Sequence, residues 1–175
     1  VLFSAEPFTS TLINSNPKMF KYDLIWRKTH PKGHLNAKRM PLRSHENICV
    51  FYKKPPIYNP IMRTGKYRKK GGNNGSNGDR CYGKSNNYET WNDQYYPTSV
   101  IEIGNANQRN KIHSTQKPVE LYEWLIKTYT NEGDMVLDNC SGSGTNAIAC
   151  INLNRRFICM EKDKEFADKS LERLK

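Results

Sequence analysis

The sequence predicts an α/β fold: a partial, Rossmann-like nucleotide-binding sheet with helices on both faces, in circularly permuted order and carrying an irregular basic insertion. Three observations carry this expectation. First, Met135–Asp163 reads as strand, glycine turn, helix and strand. Met135-Val136-Leu137 ends on Asp138, Gly142-Ser143-Gly144 leads into the small-residue helical pattern Asn146-Ala147-Ile148-Ala149-Cys150, and Phe157-Ile158-Cys159-Met160 ends on Glu161. Second, only 14 residues follow Glu161 (175 − 161), so the remaining strands of such a sheet must lie earlier in the chain. Third, residues 1–110 hold 18 Lys+Arg against 7 Asp+Glu while residues 111–175 hold 10 of each, which places the whole +11 excess outside the glycine-turn half. A basic surface segregated in this way is the electrostatic footprint of a polyanionic partner.

A chain of 175 residues suits one domain with an inserted subdomain. No apolar run reaches membrane-spanning length, and the opening VLFSAEPF has neither the basic region nor the cleavage pattern of a signal peptide. A cytoplasmic protein without a membrane partner is expected. The chain opens without Met, on a run that already reads as a strand, so an upstream part is expected too. The cysteines are odd in number without a close CxxC pair, and no acid separates His30 from His34, so neither a disulfide framework nor a metal site is predicted.

In chain order, Val1-Leu2-Phe3 reads as a buried strand, Thr9–Asn14 as a short helix, and Lys21–Trp26 and Asn47–Tyr52 as further strands. Between the last two lies a basic loop with Lys38, Arg39 and Arg43. Residues 1–56 form the first predicted division. Residues 57–110 form the second, and from Ile57 to Gln108 the pattern of core strands disappears around the low-complexity run Gly71–Gly78. Arg63, Lys66, Arg68, Lys69, Lys70, Arg80 and Lys84 are interleaved there with Tyr67, Tyr82, Tyr88, Trp91, Tyr95 and Tyr96. Cations that pair with phosphate and rings that stack on bases predict a nucleic-acid-contacting insertion, against the plainer alternative of a small subdomain whose rings pack on one another. Residues 111–175 form the third division. Pro118 opens a helix with Val119, Tyr122, Leu125, Ile126 and Tyr129 on one face, and a last helix from Lys164 shows the apolar stripe Phe166, Ala167, Leu171 and Leu174, which predicts core.

The chemistry concentrates at the glycine turn. Glycines let the backbone bend sharply and approach a ligand, the following helix presents unpaired N–H groups, and a carboxylate 19 residues after Gly142 (161 − 142) can accept hydrogen bonds from ribose hydroxyls. An adenosine-bearing ligand is predicted. The turn alone fits NAD as well as other nucleoside cofactors.

The element His113-Ser114-Thr115-Gln116-Lys117-Pro118 stands directly before the helix that precedes this turn. With Asp138-Asn139-Cys140-Ser141-Gly142-Ser143-Gly144-Thr145 it resembles the paired motifs of the DNA amino-methyltransferases of permuted, beta-type order, H-[PS]-T-Q-K-P followed by D-P-F-x-G-S-G-T. The phage-type members are the most similar. The likeness extends over Val1–Phe8, Tyr22–Lys28 and Arg43–Ile48. It implies S-adenosylmethionine as cofactor. Asp138 and the turn Gly142, Ser143, Gly144 and Thr145 would hold its methionine end, Glu161 its ribose, and His113, Ser114, Thr115, Gln116 and Lys117 would close over it. Asn139 and Cys140 replace the family's usual Pro and Phe.

The resemblance further implies site-specific methylation of double-stranded DNA, of the restriction-modification kind, at an exocyclic amine, with adenine N6 preferred over cytosine N4. None of the nine prolines is followed by Cys, the context a cytosine-ring-carbon enzyme needs for its nucleophile. The family's catalytic D-P-P-Y or D-L-P-Y tetrapeptide occurs nowhere in the chain, and its place would be before Val1. The catalytic residues are thus unassigned, and the chain is expected to be a fragment without turnover of its own. The alternatives are a non-catalytic nucleic-acid-binding or cofactor-binding remnant and, disfavoured by His113–Pro118, an NAD-dependent oxidoreductase. An oligomer is compatible with the sequence.

Overall fold

The computed structural model describes residues 1–71, 89–106, 111–113 and 115–175. It divides into two compact units, Val1–Asn59 with Thr98–Lys175, and Pro60–Pro97. The predicted α/β class holds.

The first unit contains a four-stranded sheet. Strand β1 (Leu2–Ser4) is followed by helix α1 (Phe8–Ser15), then by β2 (Phe20–Lys32) and β3 (Arg43–Phe51). Strands β4 (Arg63–Gly71) and β5 (Glu89–Tyr95) belong to the second unit, and the chain returns to the sheet as β6 (Val100–Glu102). The order is β1-β3-β2-β6, with β2 antiparallel to β3 and parallel to β6. The alternation of apolar residues along β2 and β3 puts Leu24, Trp26, Ile48 and Val50 into a core completed by Ile101, Ile103, Leu121 and Leu125. The Trp26 indole is buried there and donates to the Ile103 carbonyl at 2.9 Å, which satisfies the one polar atom the ring carries inward.

A separate two-stranded parallel sheet pairs β7 (Met135–Asp138) with β8 (Arg156–Cys159), so that Asp138 stands opposite Cys159. Helix α3 (Thr145–Asn152) connects them, and α4 (Lys164–Arg173) follows. Parallel strands need such a crossover, because a tight turn can only reverse direction. Ala149 and Cys150 of α3 pack with Val136 and Phe157. Met135, Leu137, Ile158 and Met160 alternate with them and remain exposed.

Helix α2 (Val119–Tyr129) joins the two cores, with Leu121 and Leu125 in the first and Ile126 in the second. The single apolar face predicted for this helix omitted Leu121, which is fully buried. A helix held between two packed layers buries a wider arc than one stripe, so periodicity alone underestimates it.

Four further expectations need correction. The basic loop is largely a hairpin arm: β2 runs on to Lys32 and β3 starts at Arg43, with a short 3-10 turn at His34–Asn36. The first strand is not buried, since Leu2 is 45% exposed; β1 pairs with β3 along one edge, and a groove of about 460 Å³ lined by Val1–Phe3, Met135–Cys140 and α2 residues adjoins it. Ordered strands do occur between residues 57 and 108, as the antiparallel ribbon β4–β5 and as β6. The apolar stripe of the last helix is not core either, as Leu171 is 60% exposed. The low-complexity run falls, from residue 72 on, outside the described residues.

Candidate functional site

The glycine turn is built by hydrogen bonds that cross from β7 to the end of β8. Met160 donates its backbone N–H to the Asp138 carbonyl at 2.8 Å, and Ser141 donates its own to the Met160 carbonyl at 2.9 Å. The Asp138 carboxylate caps the turn from below by accepting from the Cys140 N–H at 3.1 Å. Burial holds its carboxyl above the usual range, although the Cys140 N–H and Lys117 oppose this. Gly142 and Gly144 adopt φ of 50° and 68°, backbone that L side chains rarely enter.

Glu161 sits 2.7 Å from the Gly142 N–H, which it accepts through one oxygen, while the other accepts from the Asp163 N–H at 3.1 Å. These backbone bonds pull its carboxyl below the ordinary value. A carboxylate offers about four lone-pair directions. Glu161 therefore shapes the turn and still has acceptor capacity on each oxygen for hydroxyls of a ligand.

The two motifs singled out in the sequence meet on one small cavity of about 70 Å³, lined by His113, Thr115, Gln116 and Lys117 from one and by Cys140, Ser141, Gly142, Ser143 and Thr145 from the other, with Tyr122 between them. The loop before α2 is held by its own bonds: His113 Nδ1 lies 3.0 Å from the Thr115 hydroxyl, and the Gln116 side chain accepts from the Ile112 N–H at 3.1 Å. A Cβ built on Gly142 would stand 3.6 Å from the His113 ring, so this glycine keeps a slot open between ring and turn. Asp138, Asn139 and Cys140 line the larger groove, and Lys117, Tyr122 and Cys140 border both spaces. Gly144 caps α3 instead of lining the cavity. Ser114 lies outside the described residues.

Sequence reasoning missed the contribution of α4. Phe166 packs edge-on against the His113 ring with centroids 4.4 Å apart, a Gly144 Cβ would meet the Ser170 Cβ at 2.9 Å, and Arg173 donates to the Ser143 carbonyl at 2.9 Å and to the Thr145 hydroxyl at 3.0 Å. Phe166, Ser170 and Arg173 are spaced i, i+4, i+7, one face of a helix. The spacing was present in the sequence, but an aromatic, a small residue and a cation do not form an apolar stripe.

Lys117 is fixed from the sheet side. Glu46 on β3 holds the Lys28 ammonium at 2.5 Å and the Lys117 ammonium at 3.5 Å, with the three side chains only 22%, 9% and 16% exposed. Lys117 also lies over the Phe3 ring, 4.6 Å from its centroid. Burial alone would raise the Glu46 carboxyl, but Lys117 and then Lys28 outweigh it and leave it below the ordinary range. A depressed carboxyl contributes stability above its unfolded pKa and loses it as pH falls through the folded value. Glu46→Gln should cost about 1–3 kcal/mol at neutral pH, because two lysines lose their counter-charge in a poorly solvated place. The variant should also lose less stability than the wild type as pH falls from about 6 to about 3. Denaturant melts across that range test this; parallel curves for the two proteins would exclude the role.

The cations expected to meet DNA divide between the units. Lys38 and Arg39 are exposed beyond the 3-10 turn, and Arg43 donates to the Glu6 carbonyl at 3.1 Å. In the second unit Arg63 donates to the Tyr96 carbonyl at 3.2 Å, Lys66 and Lys69 lie exposed along β4, and Arg68 stacks over Tyr95. The backbone of Lys70 belongs to β4, and its side chain, with Arg80 and Lys84, lies outside the described residues.

Comparison with known proteins adds the following. Residues 7–172 match the family model for DNA methylases of the N6/N4 type. The type II methyltransferase M.HpaI of Haemophilus parainfluenzae is 43% identical over 81 residues, which is 45% of this chain and 26% of that protein. M.BglII of Bacillus subtilis is 30% identical over 152 residues, covering 83% of this chain and 39% of its own length. The chain thus spans well under half of these relatives. Among solved structures, M1.HpyAVI in its SAM complex superposes with a TM-score of 0.66 at 25% identity, over 98% of this chain and 72% of that one. The cytosine-N4-specific PvuII DNA methyltransferase superposes with a TM-score of 0.61 at 18% identity, over 96% of this chain and 56% of the other, a likeness of fold alone.

Proposed function

This chain belongs to the N6/N4 DNA methylases, and we propose that it forms the S-adenosylmethionine-binding part of an enzyme that methylates an exocyclic amine in double-stranded DNA, adenine N6 in preference to cytosine N4. The observation that supports this most is the meeting of His113–Lys117 with the Ser141–Thr145 turn on a single cavity. The family uses S-adenosylmethionine, and the residues present suit it. The small cavity alone is too tight for a nucleoside, but it shares Lys117, Tyr122 and Cys140 with the 460 Å³ groove, within the roughly 300–1,000 Å³ of small-molecule sites.

On this reading Glu161 accepts from the ribose hydroxyls, Asp138 from the amino group at the methionine end, and Lys117 offsets carboxylate charge. His113 closes the slot above Gly142. S-adenosylmethionine supplies a methyl group on an activated sulfonium, so the protein's part is alignment of the reacting groups and withdrawal of the target base from the stack. The permuted order, with the glycine turn after the basic segments, belongs to the same reading, as do a cytoplasmic location and a place in restriction-modification.

The 175 residues contain neither D-P-P-Y nor D-L-P-Y. By themselves they are therefore expected to bind cofactor and DNA without transferring methyl groups, the behaviour that also defines the second reading, a non-catalytic binding remnant. Calorimetry should detect S-adenosylhomocysteine and no NAD, and incubation of the purified chain with labelled S-adenosylmethionine and mixed-sequence DNA should leave the DNA unlabelled. Binding of NAD in place of S-adenosylhomocysteine would overturn the cofactor assignment, and labelled DNA would overturn the expected lack of turnover.

A further inference from the structure

We propose that Tyr67 and Trp91 form a stacking platform for an unpaired nucleobase, so that this pair, and not the surrounding lysines, makes the second unit sensitive to the bases of DNA. The proposal rests on the DNA reading above and narrows it to two residues. Lys69 on β4 is the cross-strand partner of Trp91 on β5. Cross-strand partners point to one side of a ribbon, and residues two apart on a strand share a face. Tyr67 precedes Lys69 by two residues, where the pairing shifts register, and its ring contact with Trp91 places the three together.

The Tyr67 and Trp91 rings are stacked, with centroids 6.1 Å apart and planes inclined by 27°, yet the residues are 69% and 60% exposed. Rings that pack a subdomain lose their faces to neighbours. Tyr95 shows that case on the same ribbon: it is half-buried, donates to the Lys66 carbonyl at 2.7 Å, would lie 2.8 Å from a Cβ on Gly65, and has the Arg68 guanidinium 5.1 Å from its ring centroid. Its faces are used by the ribbon itself, whereas the outer faces of Tyr67 and Trp91 stay in water.

Charge selects the occupant. Strand β4 reads RTGKYRKKG, five cations without an acid. A ligand that is both polyanionic and rich in π faces is nucleic acid. In an intact duplex the base faces are covered by their neighbours, so the ring pair suits a base that has left the stack.

The test uses the full chain and two DNA duplexes that differ by one bulged nucleotide, titrated by fluorescence anisotropy across a range of salt. The wild type should prefer the bulged duplex. Tyr67→Ala and Trp91→Ala should lose most of that preference, on the order of tenfold, with the slope of log K against log salt unchanged, and Trp91→Phe should keep much of it. The double variant Lys66→Ala/Lys69→Ala should do the opposite, lowering the slope by roughly two contacts while the preference remains. If Tyr67→Ala and Trp91→Ala, folded by circular dichroism, retain the preference, the platform is overturned and the DNA reading stands. Absence of binding to both duplexes would overturn the DNA reading and the platform with it.

Discussion

Asp138→Asn weakens S-adenosylhomocysteine binding by about tenfold to a hundredfold while leaving the free protein at least as stable as the wild type. The affinity loss follows from the carboxylate's place at the tip of β7, on the groove it shares with Lys117. A hydrogen bond to a charged group contributes about 1.5–3 kcal/mol, and Asn keeps the shape without the charge. The stability gain has a different origin. Burial raises the Asp138 carboxyl, so the folded state holds its proton more tightly than the unfolded chain. Stability from such a group is present at low pH and is lost as pH rises through the unfolded and then the folded value, which leaves a cost at neutral pH that Asn removes. Asn can also still accept the Cys140 N–H. Calorimetry and thermal melts on one preparation measure both effects. An unchanged affinity would remove Asp138 from the site; a lower melting temperature would show that its charge supports the turn.

Gly144→Ala should cost about 2–4 kcal/mol of stability, the sum of placing a side chain at positive φ and of overpacking. The φ of 68° is only part of the reason. A new Cβ would stand 2.9 Å from the Ser170 Cβ, close to the backbone of α4, so the helix itself must move and take Phe166 and Arg173 with it. Gly142→Ala is the control. Its φ of 50° is equally unfavourable, but the nearest atom is the His113 ring at 3.6 Å, an ordinary contact. That variant should lose about 1–2 kcal/mol of stability and fail mainly in ligand binding, because the methyl fills the slot. Equal melting temperatures for the two variants would contradict the packing of α4 against the turn.

These contrasts show where local pattern carries information. A glycine at positive φ, a strand that ends in an acid, and a proline opening an apolar helix are properties of a few consecutive residues, so β7, the turn, α3, β8 and α2 are legible in the amino-acid sequence. The pairing of Glu46 with Lys117 joins residues 71 positions apart (117 − 46), and no periodicity announces it. The same holds for α4, whose residues facing the turn are chosen by what stands opposite them.

Residue order alone establishes the α/β class, the glycine turn with its two flanking acids, and the basic character of the first 110 residues. Those follow from backbone sterics, hydrophobic period and charge, which act over one element at a time. Folding adds what no single element carries: Glu161 already grips Gly142, Arg173 holds the turn and Phe166 packs on the His113 ring, Leu121 is buried between two cores, and Tyr67 and Trp91 keep their faces in water while Tyr95 does not. Burial and hydrogen-bond partners are properties of elements in contact, and those contacts are set by packing between segments far apart in the chain.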